Sequence, residues 1–161
     1  MSKLPLILVS LDEYQTEFKR ISNNPYLLAE GIKSPVEALG LNQLRDRAWE
    51  IMDKVNIGKV ERLKATFNNG MSTLMSTDDL KLIGKGAADG RIKTIMVESG
   101  RIINGTFDEA TGAIDLEGAQ ADTEDLLESI VSKVLSDRGE VVVLAKDDMP
   151  SDSGAAAIFR Y

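Results

Sequence analysis

The sequence predicts an α/β sandwich in which helices cover both faces of a mixed β-sheet. Residues 86–97, GAADGRIKTIMV, indicate a helix that ends at Gly90 and a strand that starts directly after it. Residues 141–161 indicate a strand of buried character, an acidic loop and a final strand. The elements from residue 41 onward follow the order helix, helix, strand, strand, short strand, helix, strand, strand, which favours a mixed sheet.

The composition excludes several kinds of chemistry. The chain has 161 residues and 43% hydrophobic residues, enough for a core without covalent staples. It contains no cysteine and no histidine, which removes disulfides, thiol catalysis, a histidine-based serine triad and the usual zinc ligands. A serine triad and a typical zinc site are therefore excluded. The prediction that the chain is not an enzyme and needs no cofactor depends in addition on the family resemblance described at the end of this subsection.

Charge is distributed unevenly along the chain, whose formal net charge is −7. Residues 1–80 are nearly balanced, whereas residues 81–161 carry nine basic and fifteen acidic side chains. Because nucleic-acid affinity depends on lysine and arginine neutralising phosphates, direct nucleic-acid binding is disfavoured. The apolar run from Leu4 to Val9 is too short for a membrane span or a signal peptide. We expect a soluble, cytoplasmic protein with no membrane partner.

The first third of the chain predicts one small βα unit. Residues 4–10 indicate a buried strand, and residues 27–32 indicate a second, short strand. Residues 11–21 between them predict an amphipathic helix whose apolar face consists of Leu11, Tyr14, Phe18 and Ile21.

A single βα unit of this size cannot bury its own apolar face. We therefore expect residues 1–33 to be the C-terminal βα piece of a preceding domain and residues 34–161 to form a separate α/β/α domain. The alternative is that the unit docks on the rest of this chain. If residues 4–9 lack sheet neighbours, their exposed edge predicts a homodimer through that strand.

Helix signals then follow. Ser34 and Pro35 indicate a helix start, and a long helical region should run from Leu41 to Phe67 with a break or kink at Gly58. The lone Trp49 lies on or near the apolar stripe of this region and predicts a core or edge packing residue.

The second half alternates helices and strands. A helix over residues 77–89 should be capped by Thr77 or Asp78, and the next helix should open at Asp122 and close at Gly139. Between them, residues 92–97 predict a strand whose side chains alternate strictly between the two faces.

The glycine-rich segment Gly84-Lys85-Gly86 does not support nucleotide binding. A phosphate-binding P-loop requires the pattern GxxxxGK[ST], and here Asp79 occupies the first glycine position. These glycines also lie late in a helix, whereas phosphate loops precede helix N-termini. We interpret them as small residues that allow the helix to pack closely.

An acidic loop follows the most strand-like segment, and it holds Asp147, Asp148 and Asp152. Loops at the carboxyl ends of strands often carry function. Three carboxylates could bind Mg²⁺ or Ca²⁺ weakly, although the spacing does not match an EF-hand. A solvated acidic loop and a partner-binding surface are the other interpretations, and Asp147, Asp148 and Asp152 are our candidate partner-binding residues.

Several segments resemble one known family. The runs IGKGAADGRIKTIMV, GTFDEATGAID, DTEDLLESIVSKVLSDRGEVVVL and DMPSDSGAAAIFRY are similar to the C-terminal domain of bacterial homologues of the archaeo-eukaryotic peptide-chain release factor, which is related to Pelota. The resemblance covers roughly residues 36–161. It rests on structural motifs, among them Gly90-Arg91 and the Arg160-Tyr161 ending.

The resemblance implies a three-layer α/β/α sandwich similar to kink-turn RNA-binding ribosomal proteins. In that family the preceding middle domain is ribonuclease-H-like and carries the peptide-release tripeptide Gly-Gly-Gln, which this sequence lacks. The resemblance also implies that the C-terminal domain docks partner proteins such as a translational GTPase. The ribosome or such a GTPase would then be the partner of the full-length protein.

Three functions thus remain open from the sequence. The first is a non-catalytic protein-interaction domain of a translation termination or ribosome-rescue factor. The second is an RNA-binding module of the kink-turn type, and the third is a small Mg²⁺- or nucleotide-dependent enzyme that uses the Asp147 loop.

Overall fold

The computed structural model of this protein describes residues 4–116 and 125–161. The chain divides into two compact units, residues 1–59 and residues 60–161. Among the described residues, none of the helices combines the length and the apolar character needed to cross a bilayer.

The first unit is built around two short parallel strands. Its elements are β1 (Val9–Ser10), α1 (Asp12–Ile21), β2 (Ile32–Lys33), a 3₁₀ turn (Val36–Ala38) and the first part of α2 (Leu41–Met71). Strand β1 pairs in parallel with β2, and an isolated bridge joins Leu6 to Leu27. The predicted helix over residues 11–21 is therefore confirmed, while both predicted strands are shorter than expected.

The prediction of a buried strand at residues 4–10 is wrong in burial as well as in length. Leu4 is 73% exposed, and only Val9 and Ser10 are in a regular strand. One side of the segment is occupied, because the Leu6 N–H donates to the Tyr26 carbonyl at 2.8 Å and the Leu28 N–H donates to the Leu6 carbonyl at 2.9 Å. Residues 4–6 are exposed and residues 7–10 are half-buried, so the apolar run is only partly covered within this unit.

Helix α1 has the predicted amphipathic face but leaves it exposed. Tyr14 is 61% and Ile21 is 69% exposed. The side chain that is buried is Gln15, whose Nε2 donates to the carbonyls of Leu8 at 3.3 Å and Ile32 at 3.1 Å. Within its unit the helix is therefore attached through a polar side chain that binds the backbone of both strand segments.

Helix α2 is one continuous 31-residue element, so the predicted break at Gly58 is wrong. It also begins at Leu41, and Ser34 precedes a 3₁₀ turn rather than capping a helix. Trp49 is 68% exposed, which contradicts the expected core or edge packing role.

The second unit contains a four-stranded mixed sheet. Its elements are β3 (Ser76–Thr77), α3 (Leu80–Ala88), β4 (Ile92–Glu98), β5 (Thr106–Phe107), β6 (Ile114–Asp115), α4 (Leu126–Ser136), β7 (Glu140–Leu144) and β8 (Ala155–Phe159). The strand order is β3-β8-β4-β7, with β4 and β7 parallel and β8 antiparallel to both β3 and β4. A two-stranded hairpin, β5 and β6, accompanies this sheet.

Two apolar clusters show that helices cover both faces of the sheet. On one face, residues of α3 and α4 pack with strand residues such as Ile95 and Ala157. On the other face, Phe67 from the end of α2 packs with Met96 and Ile158. The predicted mixed sheet between helical layers is confirmed.

The alternation predicted for β4 is broken by a β-bulge between Ile92 and Thr94. The bulge adds one residue at Lys93, so Ile92 joins the same apolar cluster as Ile95 and Val97. Strict alternation would have placed Ile92 on the opposite face. Lys93 itself is exposed.

The helix ends of the second unit differ by a few residues from those predicted. The N-cap of α3 is Asp79, whose carboxylate accepts hydrogen bonds from the Lys81 and Leu82 N–H groups at 2.8 and 3.3 Å. The N-cap of α4 is Asp125, and the predicted cap Asp122 lies outside the described residues.

Both helices close with the same left-handed turn. At the end of α3, Gly90 has φ +65°, as the sequence predicts. At the end of α4 the left-handed residue is Arg138 with φ +61°, not Gly139. In each case the N–H of the residue after the left-handed one donates to the carbonyl five residues earlier. The Arg91 N–H donates to the Gly86 carbonyl at 2.9 Å, and the Gly139 N–H donates to the Val134 carbonyl at 2.8 Å.

Candidate functional site

The three candidate aspartates lie at the carboxyl end of β7. Asp147 and Asp148 belong to a 3₁₀ turn (Lys146–Asp148), and Asp152 lies in the turn that leads into β8. All three side chains are exposed. The loop is ordered by local bonds: Ser153 Oγ donates to the Ala155 carbonyl at 2.7 Å and lies 3.1 Å from Ser151 Oγ.

The carboxyl end of β4 lies at the same edge, because β4 and β7 are parallel neighbours. The Ser99 N–H donates to the Leu144 carbonyl at 2.8 Å, and the Glu98 N–H donates to the Gly154 carbonyl at 3.0 Å. These bonds join the end of β4 to both ends of the acidic loop. We call this edge, with its loops and the start of α4, the carboxyl edge.

An ion pair that was not predicted lies within the carboxyl edge. Arg101 Nη1 is 3.0 Å from Glu98 Oε2, and the Glu98 side chain is only 12% exposed. The Arg101 side chain lies against Gly154, where an added Cβ would come within 2.7 Å of Arg101 Cδ. Opposite charges three residues apart after a strand were the available sequence signal, but chain positions alone do not show that Gly154 makes room for the arginine.

Two shallow grooves border the start of α4. One, of about 180 Å³, is lined by Val97, Glu98, Arg101, Asp125, Leu127, Glu128 and Val131. The other, of about 420 Å³, is lined by Glu109, Asp125, Glu128, Ser129 and Ser132. They share Asp125 and Glu128, so both grooves have acidic walls.

Asp125 has a structural role in these grooves. Its Oδ1 accepts hydrogen bonds from the Leu127 N–H at 3.1 Å and the Ile103 N–H at 3.3 Å. The cap thereby fixes the loop after β4 to the first turn of α4. This carboxylate is thus held by the backbone that it stabilises.

Among the residues that the structure describes, the carboxyl edge combines six acidic side chains with two basic ones. The acidic residues are Glu98, Asp125, Glu128, Asp147, Asp148 and Asp152, and the basic residues are Arg101 and Lys146. Over residues 4–116 and 125–161, however, no three acidic side chains converge in a way that could hold a metal ion. Four of the six acidic side chains, Glu128, Asp147, Asp148 and Asp152, are exposed.

Outside the carboxyl edge, the Asp108 carboxyl in the β5–β6 turn has a lowered pKa. The pKa of Asp108 is below its usual value because its side chain accepts hydrogen bonds from the Ala110 N–H and from Thr111. These bonds favour the ionised form and shape the turn. Asp108 therefore acts as a turn former.

The fold of this chain is that of a class of translation-factor domains. The C-terminal domain of a peptide chain release factor from Methanosarcina mazei is 11% identical with a TM-score of 0.51, and the match covers 80% of this chain and 96% of that one. An archaeal Pelota, in a model described as ribosome-bound Pelota and ABCE1, is 17% identical with a TM-score of 0.56, covering 93% of this chain and 40% of that one.

Sequence comparison identifies the family directly. The family model described as bacterial archaeo-eukaryotic release factor family 3 matches residues 1–91, and the chain belongs to this family. A Pelota from Archaeoglobus fulgidus is 14% identical with a TM-score of 0.49, covering 98% of this chain and 49% of that one. The chain therefore spans about half the length of that protein. No curated protein matches.

Proposed function

We propose that this chain is a non-catalytic protein-interaction part of a release-factor-like protein that acts in translation termination or ribosome rescue. The observation that carries this proposal is membership of the bacterial archaeo-eukaryotic release factor family over residues 1–91. The shared fold with a release-factor C-terminal domain, of which 96% is covered, supports it. The corresponding location is the cytosol, at the ribosome.

The residue inventory supports a binding role over a catalytic one. The chain has no histidine or cysteine and no Gly-Gly-Gln tripeptide. In the family that it resembles, peptide release depends on that tripeptide in the middle domain. The described carboxyl edge offers carboxylates and one arginine ion pair, but its grooves contain no activated nucleophile.

We further propose that the carboxyl edge contacts the protein partner through Asp147, Asp148 and Asp152. Their exposed carboxylates would meet lysine and arginine side chains of a translational GTPase, with electrostatic complementarity setting specificity and association rate. An archaeal Pelota that shares the fold appears in a structure with the ribosome and ABCE1, which supports a ribosome-associated role.

The N-terminal unit supports a proposal about domain organisation. Residues 1–33 are the C-terminal βα piece of a preceding domain, and residues 34–161 contain the release-factor C-terminal-like domain. The support is the exposed apolar face of α1, which includes Tyr14 and Ile21. A sheet from the preceding domain would cover this face in the longer protein.

Ribosome association tests the main proposal. The full-length parent protein should co-sediment with ribosomes, and the 161-residue chain alone should hydrolyse no peptidyl-tRNA. In the parent, the triple variant Asp147→Lys/Asp148→Lys/Asp152→Lys should lose partner binding. The control variant Glu37→Lys/Glu50→Lys/Asp53→Lys, which changes three exposed acids of the first unit, should keep it. Absence of the parent from the ribosomal fraction would contradict the proposal.

A homodimer through residues 4–9 remains a separate prediction. Residues 26–33 already pair with one side of this segment, so a second copy would have to use the other side. Light scattering of the 161-residue chain measures this directly. A monomeric mass at high protein concentration would contradict the dimer.

A further inference from the structure

Six basic side chains of the second unit lie at the edge of the sheet opposite the carboxyl edge. We call this the amino edge, since it holds the starts of β4 and β7, the end of β8 and the ends of α3 and α4. Its basic residues are Lys85, Arg91, Lys93, Lys133, Arg138 and Arg160, and its acidic residues are Asp89, Asp137 and Glu140. Although this half of the sequence has a negative net charge, basic side chains predominate at the amino edge and acidic ones at the carboxyl edge.

Direct contacts hold this edge together. The Arg160 N–H donates to the Arg91 carbonyl at 2.8 Å. The Arg160 guanidinium donates to the carbonyls of Ile92 at 3.2 Å and Asp137 at 2.7 Å, so it joins the start of β4 to the end of α4. The two arginines are thus fixed side by side.

The Arg91 guanidinium lies close to two aromatic rings. Its guanidinium carbon lies 5.3 Å from the centre of the Phe159 ring and 5.6 Å from that of Tyr161. Its Nη2 also donates to the main-chain oxygen of Tyr161 at 2.7 Å. The Tyr161 ring is 68% exposed, so an aromatic face is available beside the arginines.

Two of the acidic side chains at this edge are already neutralised locally. Lys133 Nζ is 2.8 Å from Asp137 Oδ2, and Lys85 Nζ is 3.6 Å from Asp89 Oδ1. Among the described residues, the remaining positive charge comes from the three arginines and Lys93. It is opposed by Glu140 and, in the 161-residue chain, by the terminal carboxylate of Tyr161, to which Arg91 donates. Lys93 and Arg138 are exposed, and each is placed by a backbone feature, the β4 bulge and the left-handed turn.

We propose that the amino edge binds the sugar-phosphate backbone of RNA, with Tyr161 stacking on an unpaired base. Clustered guanidinium and ammonium groups neutralise phosphates, and an exposed aromatic ring beside arginines is the arrangement that stacks bases. An RNA strand with an unpaired base can use both features, since its phosphates meet the charges and its base stacks on the ring.

The inference deepens the proposed function and rests on it for the source of the RNA, which at the ribosome would be ribosomal. The two edges would then have separate tasks in one unit. The amino edge would face RNA, and the acidic carboxyl edge would turn away from the phosphates toward a protein partner.

Fluorescence anisotropy of a labelled RNA hairpin with an unpaired loop, mixed with the 161-residue chain at increasing salt, tests the inference. We expect binding at low salt that weakens linearly on a log–log plot. The variant Lys93→Glu/Arg138→Glu should raise the Kd about tenfold or more and reduce the magnitude of the salt slope by about 1–2. Both side chains are exposed and neither belongs to an apolar cluster, so the thermal midpoint should be nearly unchanged.

A control variant with the same change in net charge tests whether binding depends on the amino edge itself or only on the net charge of the chain. Lys81 and Lys146 are exposed and lie in α3 and at the carboxyl edge. The variant Lys81→Glu/Lys146→Glu should change the Kd by less than about threefold, because neither side chain belongs to the amino edge. Tyr161→Leu should weaken binding about fivefold without altering the salt slope.

Three results would overturn the inference: no anisotropy change at low salt, equal weakening by both double variants, or binding to polyglutamate or to phosphatidylserine-containing vesicles with none to the hairpin. Each is distinguishable from failure of the proposed function. Ribosome co-sedimentation of the parent together with an unbound hairpin would reject the RNA surface and leave the translation role standing.

Discussion

Gly84 and Gly112 bring the backbone of α3 against the turn of the β5–β6 hairpin. A Cβ on Gly84 would lie 2.7 Å from the Gly112 carbonyl oxygen, and a Cβ on Gly112 would lie 2.6 Å from Lys85 Cα. Gly112 also has φ +76°. In the Gly84-Lys85-Gly86 segment, which superficially suggests a phosphate loop, Gly84 therefore packs the helix on the hairpin, and Gly86 makes room for the Phe159 ring of β8.

Gly112→Ala should accordingly destabilise the chain for two reasons that add. The left-handed conformation costs about 1 kcal/mol for alanine, and the contact with Lys85 adds about 1–3 kcal/mol of overpacking. Gly100→Ala is the matched control, since Gly100 has φ +72° but nothing within 4 Å of its added Cβ. Urea unfolding should show the larger loss for Gly112→Ala, and equal losses would mean that the close approach does not matter.

Arg138→Gly should stabilise the chain. Arg138 holds φ +61° at the end of α4, where glycine avoids the steric cost of a Cβ. We expect a gain of about 0.5–1 kcal/mol after the greater entropy of glycine in the unfolded chain is subtracted. Ser132→Gly, in the exposed interior of the same helix, should instead lose about 0.5 kcal/mol. A loss of stability in both variants would contradict the proposed strain at Arg138.

How far the sequence predicts this fold depends on whether a signal is local. The end of α3 at Gly90 and the mixed sheet follow from periodicity and turn residues, and both are confirmed. The face of Ile92 does not follow, because the bulge that turns it depends on pairing with Phe159. No window of sequence around Ile92 contains that partner.

The candidate site shows the same division. The chain order places Asp147, Asp148 and Asp152 after a strand, and the structure locates them there. The Glu98–Arg101 ion pair was missed although its members are only three residues apart, because the position of Arg101 against Gly154 depends on a distant part of the chain. The amino edge was missed because it combines residues from elements far apart in the chain. For helix α1 the sequence correctly predicts the helix from its apolar periodicity. Periodicity alone, however, does not show whether another element covers the apolar face.

Tyr14→Ser/Ile21→Ser tests the domain proposal for the N-terminal unit. In the 161-residue chain these side chains are exposed, so the free energy of unfolding should change by less than about 0.5 kcal/mol. In a longer protein with the preceding domain, the same variant should lose about 2 kcal/mol or more, because two apolar side chains would leave a packed interface. The control Ile51→Ala, at a buried position, should cost about 2–5 kcal/mol in both proteins. Equal small losses for Tyr14→Ser/Ile21→Ser in the two proteins would contradict the docking of α1.

Asp108 should make the β5–β6 turn sensitive to acid. Hydrogen bonds from the Ala110 N–H and from Thr111 lower its pKa below the ordinary value of 3.8, so the folded state holds the ionised carboxylate more strongly than the unfolded state does. The contribution to stability is present above that ordinary value and is lost as the pH falls through the lower folded pKa. Asp108→Asn keeps a side-chain acceptor for the turn but cannot titrate. The stability difference between the original chain and the variant should therefore shrink as the pH is lowered through this range, and NMR titration of the carboxylate should give a pKa below 3.8. A pKa at or above that value, or a stability difference that is constant with pH, would show that the turn does not favour the charged form.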